Sequence, residues 1–484
     1  MRSKSDISNT IFTTTDTFLL FIITIISFAV RYWNIFWPNG CVFDEVYFGN
    51  FTNYYLQSEF YYDIHPPLGK IIAFVFGYLS EYNGSINFQA SPKYKYDDYV
   101  MLRITPATFS AMCAPLAYLA VRFAEFGPVA GSAAACLIAF DNSLGTEGRH
   151  ILSDGILHFF ATLHVTILMY TLSLRKRKKY FLLWNFINAL SLGAVCSCKN
   201  TGWGLMAMDG LCIAIDLLPI LKISLFDYIS ELAIFGLPLF FIQLLVYLII
   251  FSIHFILLPY NGSGDGYLKQ DMKDQLVPHN GYASLYGNVL RKPGLFLRSI
   301  ILTIDMHRGN MGIRQFHDSM SFPKQWPLLT GIATYFWAGE NGREIRCLGN
   351  VFSYYFAFIG VVMSIFAFRN QKYLYALRFV IGWAVCYFPF YLIPRIMYQY
   401  HYCIPLIIGA MAFGAAIEMC VPKKYRGIVL VISCSLTIFG FWLWSPFTYG
   451  SLPHDRDITI WTKLWIDGNE EHRKRRKEYY ENRK

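Results

Sequence analysis

Charge is scarce in this chain. Of 484 residues only 15% are charged, against roughly 25% in soluble domains, while 55% are hydrophobic and 18% aromatic. That balance excludes an ordinary soluble domain and leaves a membrane protein. Redox and zinc motifs are missing as well: the eleven cysteines form no CxxC pair, and most sit in apolar runs as small hydrophobes. Cys41 and Cys347 are placed to meet an oxidising compartment, but nothing in their spacing pairs them. There is no internal repeat, no low-complexity tract and no soluble domain, so residues 1–484 read as one membrane-embedded unit. The formal charge of +10 resides largely in short basic runs, which are better explained by membrane orientation than by nucleic acid.

What is present is apolar length. TFLLFIITIISFAV (17–30) has no ionisable group, and a helix of about 20 residues crosses a bilayer core, so 17–36 reads as a first span rather than a cleaved signal peptide. Further segments fall at 99–121, 128–143, 151–173, 180–197, 203–221, 229–258, 348–368, 374–394, 401–420 and 427–446. The expectation is an all-α polytopic membrane protein with about eleven transmembrane helices. Lys and Arg in short loops stay cytosolic, and one parity puts the RKRKK run (175–179), the Arg369/Lys372 turn and the KKYR turn (423–426) there. Loop 1 (37–98), the long connection 259–346 and the polar tail 453–484 are then luminal, although the tail's RKRRK run (473–477) goes against the rule. The sequons at Asn50, Asn83 and Asn261 all lie in luminal segments.

An ionisable residue in or at the rim of a bilayer is a functional suspect with a structural rival. On this topology Asp44, Glu45, Asp63, His65, Lys70, Arg103, Asp141, Arg149, Asp154, Lys199, Arg395 and His401 gather at the luminal ends of different spans. Arg31 reads as a snorkelling anchor, Asp154 has a rival role as a helix cap, and Lys199 and Arg149 have one as partners of lipid headgroups. Asp44 and Glu45 stand between aromatic residues, which argues for a partly dry pocket.

FDEVYFGNFTNYYL and FYYDIHPPLGK resemble the first luminal loop of the protein O-mannosyltransferases. RYWNIFWPNGCVFDE (31–45), YVMLRITPA (99–107), AFDNSLGTEGRHILSDGILHFF (139–160), SCKNTG (197–202), GSGDGY (262–267), HDSMSFPKQWPLL (317–329), FWAGENGREIRCLGN (336–350), FPFYLIPRIMYQYHY (388–402) and SPFTYG (445–450) follow in the family's order. Each motif is weak and their succession is strong. Tyr47 stands where the family has His, Phe322 where it has Arg, and Asn200 where it has an aromatic. The long connection lacks room for the β-trefoil MIR domain that many members carry.

The resemblance implies a GT-C type glycosyltransferase fold and transfer of mannose from dolichyl phosphate mannose to Ser or Thr of secretory-pathway polypeptides. It also implies an endoplasmic reticulum membrane address and a homo- or heterodimer with a family member. Chemistry supports the residue set. The leaving group is already a phosphate, so no general acid is needed, unlike the carboxyl pair of a glycosidase. One carboxylate, Asp44, serves as base or positioning group with Glu45 in support, an extended chain pointing the two apart. Arg103, Lys199 and Arg395, with Arg149, His65, His401 and Asp154, are the donor phosphate and sugar candidates. A single displacement inverts the anomeric centre, and the scheme demands no metal or cofactor; the first loop has no Asp-x-Asp pair. The alternatives are a related polyprenyl-phosphate-sugar transferase with another acceptor, a transporter, and a catalytically silent subunit; the absence of two related halves counts against a transporter.

Overall fold

The computed structural model describes residues 12–452 apart from 90–92, 96, 175–177, 218–223, 280, 282–283 and 291, together with 474 and 478. Among the described residues seven helices are long and apolar enough to cross a membrane: Thr14–Tyr32, Tyr99–Phe123, Asp154–Ser173, Leu225–Leu257, Tyr373–Leu392, Gln399–Cys420 and Lys423–Tyr449. Shorter apolar helices, Pro128–Ala139, Tyr180–Cys196 and Val351–Phe366, stand where further spans are expected. The 99–121 segment is two helices, Tyr99–Ala111 and Cys113–Phe123, and the 203–221 segment holds the helix Gly204–Leu217. The RKRKK run and the polar tail fall largely outside the described residues.

The centre of the bundle is the helix Cys403–Cys420, buried along nearly its whole length. It packs between Val351–Phe366, Pro128–Ala139 and Tyr373–Tyr387. Small residues allow the backbones to meet, as is usual where helices associate in lipid. A Cβ on Gly414 would come 2.2 Å from the Ala130 carbonyl oxygen, and one on Gly360 would come 2.3 Å from the Phe413 Cα.

Polar groups collect at two opposite ends. At one, Asp16 accepts from Tyr118 at 2.6 Å and from Arg122 Nε at 2.5 Å, and Lys372 bonds Glu418 at 2.6 Å and the Glu125 carbonyl. Arg426 donates to the Glu418 carbonyl, so Lys372 and Arg426, the loop cations expected on one side of the membrane, share an end. At the other, loop 1 supplies the helix Glu45–Gln57, the strand Glu59–Tyr61 and the helix Leu68–Leu79. That strand pairs in parallel with Tyr260–Gly264 of the long connection, and the Phe43 N–H donates to the Phe336 carbonyl at 3.0 Å. Loop 1 and the long connection thus form one cap, which also contains the helix Leu295–Met311 and the hairpin of Thr334–Ala338 with Glu344–Cys347.

Candidate active site

Asp44 and Glu45 part company because a helix begins between them. The expectation of an extended chain is corrected: Asp44 is the N-cap and Glu45 the first residue of Glu45–Gln57. Glu45 turns inward and is fully buried. Its Oε1 accepts from Arg103 Nε at 2.7 Å and from the Ile151 N–H at 3.0 Å. Its Oε2 accepts from Arg103 Nη2 at 2.8 Å, the Val42 N–H at 2.9 Å and the Tyr94 hydroxyl at 3.2 Å. Burial alone raises a carboxyl's pKa, but the Arg103 guanidinium overrides it and holds Glu45 well below the usual range. Arg103 spends its other N–H groups on the carbonyls of Ile35, Pro38 and Gly40. A two-point ion pair thereby fastens loop 1 to the second span.

Three expected roles change as a result. Arg103 has all five donors committed within the protein and is not among the residues that line the cavity beside Lys199 and Arg395, an arrangement that suits a brace better than the expected phosphate ligand. Arg149 is buried too, giving Nη2 to the Trp33 and Asn34 carbonyls at 2.6 and 2.8 Å and stacking its guanidinium 4.5 Å from the Tyr449 ring centroid. Arg31 does not snorkel: it lies buried with bonds to Ser110, Ala139 and Ile138. Arg103 and Arg149 satisfy carbonyls left by the irregular backbone after the first span, and Arg31 satisfies those at the end of Pro128–Ala139.

Asp44 takes the opposite direction. Its carboxylate makes no cap bond to its own helix. Burial pushes its pKa up to about 7, against the lowering pull of Lys199 and Arg395, with Asp154 and Asp63 adding to the rise. Those four groups are its electrostatic surroundings. Lys199, which precedes the 3-10 turn Asn200–Trp203, reaches Asp154 Oδ1 at 2.8 Å. Burial works against the Lys199 charge, yet Asp154 keeps it protonated. Asp154 opens the helix Asp154–Ser173 and makes this ion pair instead of a cap.

Lys199, Arg395, His65 and His401 line one cavity of about 1040 Å³. Its remaining wall is mostly apolar, including Trp203, Ala207, Tyr247 and Phe390. Arg395 bonds the Ile396 carbonyl and Asn310 Oδ1. His65 Nδ1 is buried without a partner, and burial with Lys199 close by holds its pKa well below the ordinary value. His401 stacks on Tyr400, whose ring also receives Lys199 Nζ at 5.5 Å. Lys70 is turned away, bonding Asp63 and the His65 carbonyl. Asp141 caps the helix Asn142–Gly148. Cys41 and Cys347 are free thiols.

One residue escaped notice in the sequence. Glu147 is fully buried, its Oε1 has no partner, and its carboxyl lies in the field of Asp154, Lys199 and Asp44, burial raising its pKa well above the usual range. The signal was available: it is an acidic residue in a turn between two apolar segments.

The helices define a polytopic membrane protein with ionisable groups gathered at one end, and its likeness to solved structures makes the fold that of the GT-C glycosyltransferases. The backbone superposes on a chain of the S. cerevisiae protein O-mannosyltransferase Pmt1-Pmt2 complex bound to the sugar donor with a TM-score of 0.82 and 16% identity, over 96% of this chain and 95% of that one. An Archaeoglobus fulgidus oligosaccharyltransferase shares the fold at a TM-score of 0.53 and 14% identity, over 96% of this chain and 59% of that one. Residues 21–259 match the family described as dolichyl-phosphate-mannose-protein mannosyltransferase, and residues 296–465 match the C-terminal four-transmembrane region of protein-O-mannosyltransferase. The chain belongs to the protein O-mannosyltransferase family. Dolichyl-phosphate-mannose–protein mannosyltransferase 2 of Candida albicans is 34% identical over 252 residues, which are 50% of this chain and 33% of that protein. Dolichyl-phosphate-mannose–protein mannosyltransferase 3 of S. cerevisiae is 37% identical over 252 residues, with the same shares. The matched segment therefore spans about a third of these relatives' length.

Proposed function

We propose that this chain transfers mannose from dolichyl phosphate mannose to Ser or Thr hydroxyls of polypeptides on the luminal side of the endoplasmic reticulum membrane. The observation that carries the reading is the position of Asp44. It makes no cap bond to its own helix, and it lies in the electrostatic field of Lys199 and Arg395, the cations that line the polar end of an otherwise apolar cavity. A polyprenyl phosphate sugar has the same polarity: an isoprenoid tail for the apolar wall, and a phosphate and sugar for the cations.

In the reaction, the acceptor oxygen attacks the anomeric carbon while the bond from that carbon to the phosphate oxygen breaks. The hydroxyl proton passes to Asp44, and the bonding pair leaves with the phosphate. Lys199 and Arg395 stabilise the charge that builds there, and Asp154 orients Lys199. His65, with its unpartnered Nδ1, is available to the sugar or phosphate. A single displacement inverts the anomeric centre. Glu45 and Arg103 are positioning residues, which hold Asp44 without touching substrate. A second family member as partner follows the relative solved as a two-component complex.

The test uses microsomes containing wild type, Asp44→Ala or Lys199→Ala, radiolabelled dolichyl phosphate mannose and a Ser/Thr-rich peptide. Peptide labelling by the wild type alone, with the label released by an α-mannosidase, is the expected result. Equal labelling in all three removes both residues from the mechanism.

A further inference from the structure

Phe43, the residue before Asp44, holds a backbone conformation that its own side chain disfavours. Its φ is +50°, in the left-handed region, where a bulky residue is an outlier that persists only when its surroundings fix it. Phe43 and Asp44 are the two central residues of a turn whose ends are tied twice. The Glu45 N–H donates to the Val42 carbonyl at 3.0 Å, and the Val42 N–H donates to Glu45 Oε2 at 2.9 Å. The direction in which the chain leaves Phe43 decides where the Asp44 carboxylate points, so whatever fixes Phe43 also aims Asp44.

The fixing comes from the long connection. Phe336 lies in the strand Thr334–Ala338, where the pairing with Glu344–Cys347 slips: Tyr335 faces Arg346 and Trp337 faces Ile345, which leaves Phe336 as an extra residue. A bulge of this kind re-aims one residue, and bulges recur beside active sites. Here the Phe336 carbonyl accepts from the Phe43 N–H at 3.0 Å, and the two rings stack with centroids 4.1 Å apart and planes 7° from parallel. Phe336 is buried, so the stack rests against the interior. Tyr400 meets both rings edge to face, 6.1 Å from Phe43 at 74° and 6.4 Å from Phe336 at 76°. Tyr400 is also the ring that receives Lys199 Nζ at 5.5 Å and stacks on His401 at 4.7 Å. A cluster of three rings therefore joins the backbone of Asp44 to Lys199.

We propose that Phe43 is a positioning residue for the transfer reaction: clamped between Phe336 and Tyr400, it holds Asp44 in register with Lys199 at the spacing the displacement requires. This rests on the reading of Asp44 as the group that takes the acceptor proton. Neither Phe43 nor Phe336 lines the cavity. Phe43 acts through the residue next to it, and the bulge at Phe336 makes the hairpin of the long connection part of the reacting geometry without a contact to substrate.

Transfer by the full chain in microsomes, from radiolabelled dolichyl phosphate mannose to a Ser/Thr-rich peptide and normalised to the amount of chain, tests the clamp. Phe43→Ala should lower kcat about 100-fold, the scale of loss for a reacting group misplaced by about 1 Å, while KM for donor and peptide changes less than about twofold. Phe43→Tyr keeps a ring in the stack and should stay within about fivefold of the wild-type kcat. Phe336→Ala should lower kcat in the same way, and the double variant should lose no more than the worse single one, because both act through one contact. Wild-type kcat in Phe43→Ala, or losses that multiply in the double variant, overturns the proposal. Thermal unfolding in detergent identifies a variant that fails to fold. Should Phe43→Ala do so, Phe43→Gly takes its place, since glycine adopts the left-handed turn without strain and lacks only the ring; transfer by Phe43→Gly at the wild-type kcat overturns the proposal as well. A wild type that transfers no mannose overturns the functional reading and this proposal with it, whereas an active wild type matched by its Phe43 variants overturns this proposal alone.

Discussion

At the scale of single residues, the proposed mechanism divides chemistry and support between two neighbours, Asp44 and Glu45. Asp44→Asn should lower transfer by about 10²–10⁴, the usual worth of a general base, while thermal unfolding in detergent stays near that of wild type. Arg103→Ala leaves Glu45 buried and unpaired, which typically costs about 3–5 kcal/mol, so its melting temperature should fall clearly. A melting temperature equal to wild type would deny the brace. Asp44 also sets a pH dependence. A base must be ionised, and this one has its pKa pushed up to about 7; kcat/KM should therefore fall as pH drops through 7 and level off above it. The fall should be missing from the residual activity of Asp44→Asn. Most of the site residues were legible as ionisable groups at span ends. What the sequence could not separate was their roles, because a guanidinium facing carbonyls and one facing a ligand are the same letter. Arg103 and Arg149 looked like Arg395 until their partners were visible.

At the scale of elements, hydropathy located the apolar segments well, since each apolar run coincides with a helix. It missed the break at Met112, although Pro115 in the first turn of the helix Cys113–Phe123 is a recognisable start signal. It also left the long connection without structure. Leu295–Met311 alternates apolar and polar residues at helical spacing, but it is too polar to count as a span. The luminal assignment of loop 1 can be checked at its sequons. Asn83 is exposed and its Oδ1 accepts from the Ser85 N–H at 3.0 Å. The Asn50 amide is held by the Val46 and Phe88 carbonyls at 2.7 and 2.9 Å, leaving no room for a glycan. In an Asn261→Gln background, which removes the third sequon, a glycosidase-sensitive mobility shift should vanish on adding Asn83→Gln and persist on adding Asn50→Gln. The absence of a shift from the Asn261→Gln chain counts against a luminal first loop.

At the scale of the whole molecule, the parity of the chain decides which end is which. Asp16, Arg122, Lys372, Glu418 and Arg426 mark one end, and loop 1 marks the other. Cys420 lies beside the first group and is exposed. In sealed vesicles with their cytosolic face outward, a membrane-impermeant maleimide should reach it without detergent; labelling only after permeabilisation would invert the topology. The joining of distant segments at the Glu45–Arg103 pair has a further effect on how inactive variants are read. Asp44 borrows its placement from the residue beside it, and that residue borrows its own from a helix 58 positions away in the chain. A loss-of-function screen would therefore score Arg103 alongside the reacting groups, though in the proposed mechanism it does not meet the sugar. Only a variant's tolerance of heat would tell the broken scaffold from the missing reagent.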